Sequence, residues 1–260
     1  MFSFQYRDLD FAHKEGFLDF PNDEYGRHMH YTYEMLFFIK GDCKYTVEDE
    51  QRTLSNYDIV FIKPGSYHFA SPKRDVTYER YVLKFSDNIL PPEVLEKMAN
   101  ITSFHPNCVE FEKLFKQFDL YNEQKYFDKN DLYYLFSSKL IEIIVNLSKI
   151  DNSKFVTNDP MISSIITFIE SHIKEHLTLD MISRNLNYST SYIAKEFKRK
   201  MHSSIMSYIR SKKIILARTQ IIYGENPTKV AEEYGFDDYT TFYRTYIKLI
   251  GTPPSKDKNH

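Results

Sequence analysis

Between Gly26 and Gly41 the chain reads GRHMHYTYEMLFFIKG, which sets His28 and His30 two residues apart and Glu34 four residues further on. Side chains alternate faces along a strand, so His28, His30 and Glu34 share one face if the strand is unbroken. His68, at the end of Pro64-Gly65-Ser66-Tyr67-His68, completes a set of three imidazoles and one carboxylate. That donor set could hold a divalent transition metal. The same groups, together with Tyr45 and Arg80, could instead hydrogen-bond a small molecule inside a barrel. Histidines satisfied by their own barrel are the third reading, and the residues leave all three open. No nucleophile–base pairing stands out, so catalytic residues and an enzymatic activity are not expected.

A second set of residues lies in the C-terminal hundred. In Leu177–Lys200, LTLDMISRNLNYSTSYIAKEFKRK, Thr178 is placed to cap a short helix carrying Leu179, Ile182, Ser183 and Leu186. Asn187 follows where a left-handed residue ends the helix, a conformation Asn tolerates. Ser189 can cap a second helix with Tyr192, Ile193 and Phe197 turned inward. The small Ser183 lets the two helices cross closely. The pattern returns in Thr228–Gly251: Val230 and Ala231 answer Ile182 and Ser183, and Gly235 answers Asn187. Asp238 then answers Ser189, while Phe242, Arg244 and Tyr246 answer Ile193, Lys195 and Phe197. The offset is 48 residues before the turn and 49 after it. Two coincidences of cap, turn and core make an internal repeat. Between them Ser203–Tyr223 reads as a helix of roughly 30 Å, with Arg210, Lys212, Lys213 and Arg218 on a basic side. That length is near the ~34 Å repeat of B-DNA.

The elements that must position these residues follow from the patterning. The 260 residues, 42% hydrophobic and 27% charged, suffice for two ordinary domains. Up to about Phe85 the chain alternates at period two, as in Tyr33–Ile39, Lys44–Glu48, Asp58–Ile62 and Tyr78–Phe85, with turns between. From Pro91 the period is helical; Leu132, Leu135, Phe136, Leu140, Ile143, Ile144 and Leu147 form one stripe, capped by Asn130 or Asp131. The stripe either packs on its own barrel or forms a dimer seam. The expected class is therefore α+β: an N-terminal β-barrel over residues 1–90, a helical segment over 91–150, a linker over 151–159 and an all-α domain with two helix-turn-helix units over 160–260. The net charge of -2 hides an asymmetry, since residues 159–260 hold 15 Lys and Arg against 11 Asp and Glu. Cys43 and Cys108 imply no disulfide framework. No apolar run suits a bilayer and no signal segment is read at the start, so a cytoplasmic protein with no membrane partner is expected.

Gly235–Pro254, GFDDYTTFYRTYIKLIGTPP, and Leu177–Lys198 resemble the AraC/XylS-type transcription regulators, a resemblance that runs from about Met161 to Pro254. His202, Asn187, Ser183, Tyr246 and Ile247 depart from the residues usual there. The N-terminal histidine pattern resembles the cupin barrel, with Tyr57 and Lys63 eroding its second motif. The resemblance implies an activator that binds double-stranded DNA, answers to a small effector such as a sugar without a metal or other cofactor, contacts RNA polymerase and works as a homodimer. A metal-binding cupin sensor or cupin enzyme fused to a DNA-binding domain is the alternative. The exposed start of each second helix would meet base edges through Ser191, Ala194 and Lys195 in one unit and Tyr239, Thr240, Tyr243 and Arg244 in the other. Arg199, Lys200, Lys212 and Lys213 would meet phosphates. Effector binding would fall to His28, His30, Glu34, Tyr45, His68 and Arg80.

Overall fold

Alternating side chains build two sheets in the N-terminal half of this computed structural model, which describes residues 2–17, 27–150 and 159–257. Gly26 and residues 151–158, most of the expected linker, lie outside the described residues. The strands are β1 (Phe2–Tyr6), β2 (Leu9–Gly16), β3 (Tyr33–Lys40), β4 (Cys43–Val47), β5 (Glu50–Thr53), β6 (Ile59–Ile62), β7 (His68–Pro72), β8 (Tyr78–Phe85) and β9 (Phe104–His105). One sheet has the order β1-β2-β8-β3-β6-β9 and the other β5-β4-β7, all neighbours antiparallel. The short β9 breaks the expectation of an all-helical stretch after Pro91; two residues are too few to show a period.

Parity sorts the larger sheet. Odd-numbered Leu9, Phe11, Met35, Phe37, Tyr81, Leu83 and Phe85 join one apolar cluster with the helices that follow. Even-numbered Leu36, Phe38 and Tyr78 join a second cluster with Cys43, Tyr45 and Val47 of the small sheet. The two sheets thus face each other as an open barrel, and helices cover the larger sheet's outer face.

Those helices are α1 (Pro92–Met98), α2 (Glu112–Glu123) and α3 (Lys129–Leu147). Asp128, rather than Asn130 or Asp131, caps α3: its carboxylate accepts from the Asn130 and Asp131 amides, while Asp131 reaches back to the Asp128 amide. The stripe on α3 is consumed at home. Phe136, Leu140, Ile143, Ile144 and Leu147 are each fully buried within the chain. Exposing five such side chains would cost on the order of 10 kcal/mol, so within this chain the stripe packs on its own barrel, with Leu132 and Leu135 half-buried beside it.

The C-terminal half is helical: α4 (Pro160–Ser171), α5 (Leu179–Leu186), α6 (Thr190–Met201), α7 (Ile205–Ile222), α8 (Pro227–Glu233), α9 (Tyr239–Ile250) and α10 (Pro254–Asp257). The long α7 serves two cores. Its first half gives Ile205, Tyr208 and Ile209 to the cluster of α4, α5 and α6. Its second half gives Ile214, Ala217 and Ile221 to that of α8 and α9. Its 18 residues span about 27 Å. No described helix is long and apolar enough to cross a membrane.

Candidate functional site

Two regions bring chemistry-bearing residues together. The first is a cavity of about 260 Å³ inside the barrel, lined among others by Asp10, Lys14, Glu34, Tyr45, Arg80 and Lys84. Register explains its polar wall. Asp10 and Glu34 both pair with Lys84, on the strands to either side of β8, so one ammonium stands between two carboxylates on the interior face. Lys84 Nζ lies 3.5 Å from Glu34 Oε2. Burial pushes the Asp10 carboxyl up, opposed by Lys84 and Lys14. Burial also pushes the Tyr45 phenol well up, and the Glu34 charge adds to it. Arg80 is buried, with its guanidinium over the Tyr78 ring at 4.4 Å.

Four of the six expected effector residues, His28, Glu34, Tyr45 and Arg80, line this cavity. His30 and His68 stand behind it, joined to Glu34. His30 Nε2 lies 2.9 Å from Glu34 Oε2 and His68 Nε2 3.6 Å from the same oxygen. The continuous-strand expectation fails here, because β3 begins only at Tyr33. His28 instead forms an isolated antiparallel bridge with His68. The convergence nevertheless holds: one ligand atom from each of His28, His30, Glu34 and His68 lies within 4.8 Å of the others. Burial alone would raise the Glu34 carboxyl, but hydrogen bonding from His30, the neighbouring His68 and the Lys84 charge hold it well below the usual range. Asp10, Lys14 and Lys84 were missed by sequence reasoning. Their even parity matched Glu34, but only the pairing register brings them to it.

The second region is the pair of helix-turn-helix units. Thr178 accepts from the Met181 amide, Ser189 from Tyr192 and Asp238 from Thr241. Asn187 at φ 57° and Gly235 at φ 64° make the left-handed turns. His202 also takes a left-handed conformation, φ 51°, where the family pattern has Gly. Ser191, Lys195, Tyr239, Thr240, Tyr243 and Arg244 are exposed and Ala194 is half-buried. Tyr192 corrects the inward face expected of it, being 48% exposed beside Tyr188, 5.7 Å between rings. Ile193 and Phe197 fill the core without it.

The phosphate assignments divide. Arg199 and Lys200 are exposed, Arg199 sharing Glu196 and Lys200 facing Asp159 at 3.5 Å. Lys212 and Lys213 are buried at 3% and 4% exposure, which removes them as phosphate contacts in this arrangement. Lys213 Nζ donates to the carbonyls of Glu175 and Tyr234, both at 2.6 Å, tying the first unit to the second. Lys212 Nζ donates to Glu170 Oε1 at 2.6 Å and lies 3.6 Å from Glu48 Oε1. Helical periodicity gave α7 a basic side; two neighbouring surfaces cover part of it. Arg218 of the same side pairs with Asp257.

Glu48 joins the barrel to the helical half. Its Oε1 accepts from the Tyr208 hydroxyl at 3.0 Å and from the Tyr67 amide at 3.2 Å. Burial raises its carboxyl, opposed by Lys212 and Tyr208. Its φ of 54° puts a non-glycine residue in the left-handed region. Strain of this kind persists where surrounding contacts hold it. Next to it Asp49 Oδ2 accepts from the Asp159 amide and the Ser163 hydroxyl, at the start of α4.

Comparison with known proteins matches both halves. A family model described as an AraC-like ligand binding domain covers residues 16–120, and one described as a helix-turn-helix domain covers residues 182–260. The uncharacterized HTH-type transcriptional regulator YdiP of Escherichia coli K12 is 22% identical over 254 residues, 92% of this chain and 82% of YdiP. The multiple antibiotic resistance protein MarA of Salmonella typhimurium is 31% identical over 96 residues, 36% of this chain and 76% of MarA. Among solved structures, ToxT of Vibrio cholerae with a bound unsaturated fatty acid aligns at a TM-score of 0.42 and 15% identity, covering 96% of this chain and 92% of ToxT.

Proposed function

Because this chain belongs to the AraC/XylS-type transcription regulators, we propose that α6 and α9 read DNA under the control of a small effector held between the two sheets. The chain is a DNA-binding transcription regulator with an N-terminal ligand-binding domain; the residue roles that follow are the proposal. Ser191, Ala194 and Lys195 in α6, and Tyr239, Thr240, Tyr243 and Arg244 in α9, meet base edges. Arg199 and Lys200 meet phosphates. The effector is a small polar molecule, a carbohydrate by preference, because its hydroxyls both donate and accept. It sits among His28, Glu34, Tyr45 and Arg80, with Asp10, Lys14 and Lys84 added to the set. Operation as a homodimeric activator that engages RNA polymerase belongs to the same reading and rests on family resemblance.

The observation that carries the reading is the path from cavity to α7. Tyr45 lines the cavity and stands three residues before Glu48, whose carboxylate holds Tyr208 and Lys212 of α7. Since α7 belongs to the cores of both units, a shift of β4 changes how α6 and α9 are presented. An effector that binds the two arrangements unequally thereby shifts the population competent for DNA. The test is selection from random duplexes at two salt concentrations, with and without a panel of sugars. The expected site has two half-elements about one helical turn apart, with affinity that falls steeply with salt. Failure to enrich any site under every condition would refute the DNA-reading assignment. Enrichment that no sugar changes would refute the carbohydrate.

A further inference from the structure

Strand register sorts the wall of the barrel cavity into three rows. Asp10, Lys84 and Glu34 are cross-strand neighbours in the first, and Ala12, Val82 and Leu36 in the second. In the third, Lys14 stands opposite Arg80. All of these side chains line the cavity, because residues of one parity share a face. The middle row is thus an apolar floor between two charged rims, and the rims differ in sign. Lys84 is flanked by two carboxylates, so the first rim is negative on balance and offers acceptors on either side of a donor. Lys14 and Arg80 are like charges directly opposite each other, an arrangement that repels within a sheet. The Arg80 guanidinium stands over the Tyr78 ring, which lines the cavity with it. From the small sheet Tyr45 adds a phenol that keeps its proton, since burial and the Glu34 charge push it well up.

An apolar floor with polar groups at its edges suits a sugar ring, which turns carbon–hydrogen bonds to the floor and hydroxyls to the rims. Hydroxyls both donate and accept, as the first rim does. Lysine and arginine only donate, so the second rim matches a group that only accepts. A carboxylate is such a group, and a guanidinium meets it in two parallel hydrogen bonds. The charge count agrees. Lys14, Arg80 and Lys84 outnumber Asp10 and Glu34 by one among the lining residues, and a protonated His28 would only add to the excess. One negative charge on the ligand balances it, whereas a phosphate monoester carries about 1.5–2. The cavity, about 260 Å³, is at the small end for a ligand pocket and admits one ring rather than a chain of sugars. We infer that the effector is a monosaccharide bearing a single carboxylate, a sugar acid of the hexuronate kind. Its carboxylate sits between Lys14 and Arg80, its ring on the floor, and its hydroxyls along the first rim. The inference deepens the proposed function and rests on its reading of this cavity as the effector site.

Calorimetry on the full chain tests it. Glucuronate, galacturonate and mannuronate are each titrated beside the neutral hexose of the same configuration, with acetate as the bare anion. At least one hexuronate should bind at one site per chain, about tenfold or more tighter than its parent hexose and than acetate. Lys14→Met and Arg80→Met, shown folded by circular dichroism, should each reduce that advantage. Arg80 is buried, so the half-buried Lys14 is the variant less costly to the fold. Asp10→Asn increases the positive excess and should widen the advantage, a gain that a misfolded variant cannot produce. A neutral hexose that binds as tightly as its acid overturns the inference and leaves a carbohydrate effector in place. Acetate binding as tightly overturns it by removing the ring, and an advantage unchanged in both Met variants overturns it by putting the carboxylate elsewhere. Binding by none of the three acids overturns it as well, while selection from random duplexes decides separately whether the chain reads DNA.

Discussion

Arg244 stands exposed in the second turn of α9, beside Tyr243 and one turn after Thr240. A guanidinium there can read guanine in two hydrogen bonds. Arg244→Ala should weaken binding to the selected site by ~1–3 kcal/mol and relax the preference at one base pair. Unchanged affinity and preference in a titration would remove the assignment. His105 makes a different prediction. Burial depresses its pKa from the ordinary 6.5 to about 4, against the opposing hydrogen bond to the Thr102 carbonyl. The folded state therefore binds the proton more weakly than the unfolded chain. Stability from this residue is complete above pH 6.5 and is lost as pH falls toward about 4, a change of about 3 kcal/mol. His105→Gln keeps a donor without titrating there, so the wild type should lose more stability than the variant between pH 7 and 4. Parallel losses in denaturant unfolding would count against it.

The helix-turn-helix elements were legible in advance because their caps are local. Thr178, Ser189 and Asp238 each bond an amide three residues ahead, and Asn187 and Gly235 need only a backbone conformation. Gly235 carries an additional constraint that the repeat does not reveal. A Cβ there would lie 2.8 Å from the carbonyl carbon of Glu175 and 2.9 Å from its oxygen. Gly235→Ala thus combines a left-handed backbone with a clash against another element, and should cost more than about 1 kcal/mol. His202→Gly, at the comparable turn after α6 with φ 51°, should be neutral or stabilising. Thermal unfolding of both variants checks the contrast; equal losses would show that strain at the turns is not what matters. The cap of α3 was displaced to Asp128 because Asp131 is the reciprocal partner in a capping box, not the cap itself.

At the scale of the molecule, α7 decides the behaviour of both halves. Glu48, Tyr208, Lys212 and Glu170 make one network across the boundary between barrel and helices. A cavity of about 540 Å³ opens beside it, lined by Tyr31 and Lys63 from one half and Gln220 and Tyr223 from the other. Lys212→Met leaves the Glu48 carboxylate buried without its ammonium and should cost about 3 kcal/mol. The double variant Glu48→Gln with Lys212→Met should recover part of that loss. A double-mutant cycle in urea measures the coupling, and additive losses would mean that the network does not hold the halves together.

Reading the residues in order was enough for the α+β division and the two helix-turn-helix units with their caps and turns. These depend on periodicity, backbone conformation and hydrogen bonds spanning three or four residues. It was also enough to single out His28, His30, Glu34 and His68. What the residues in order could not supply was the partner of each group. The Asp10–Lys84–Glu34 alignment depends on strand register, and the convergence of the histidines on a bridge between His28 and His68 rather than a continuous strand. The burial of Lys212 and Lys213 depends on surfaces distant in the chain that cover α7. A lysine on a helical face looks solvated until another element arrives to take its hydrogen bonds, and only the tertiary structure brings that element.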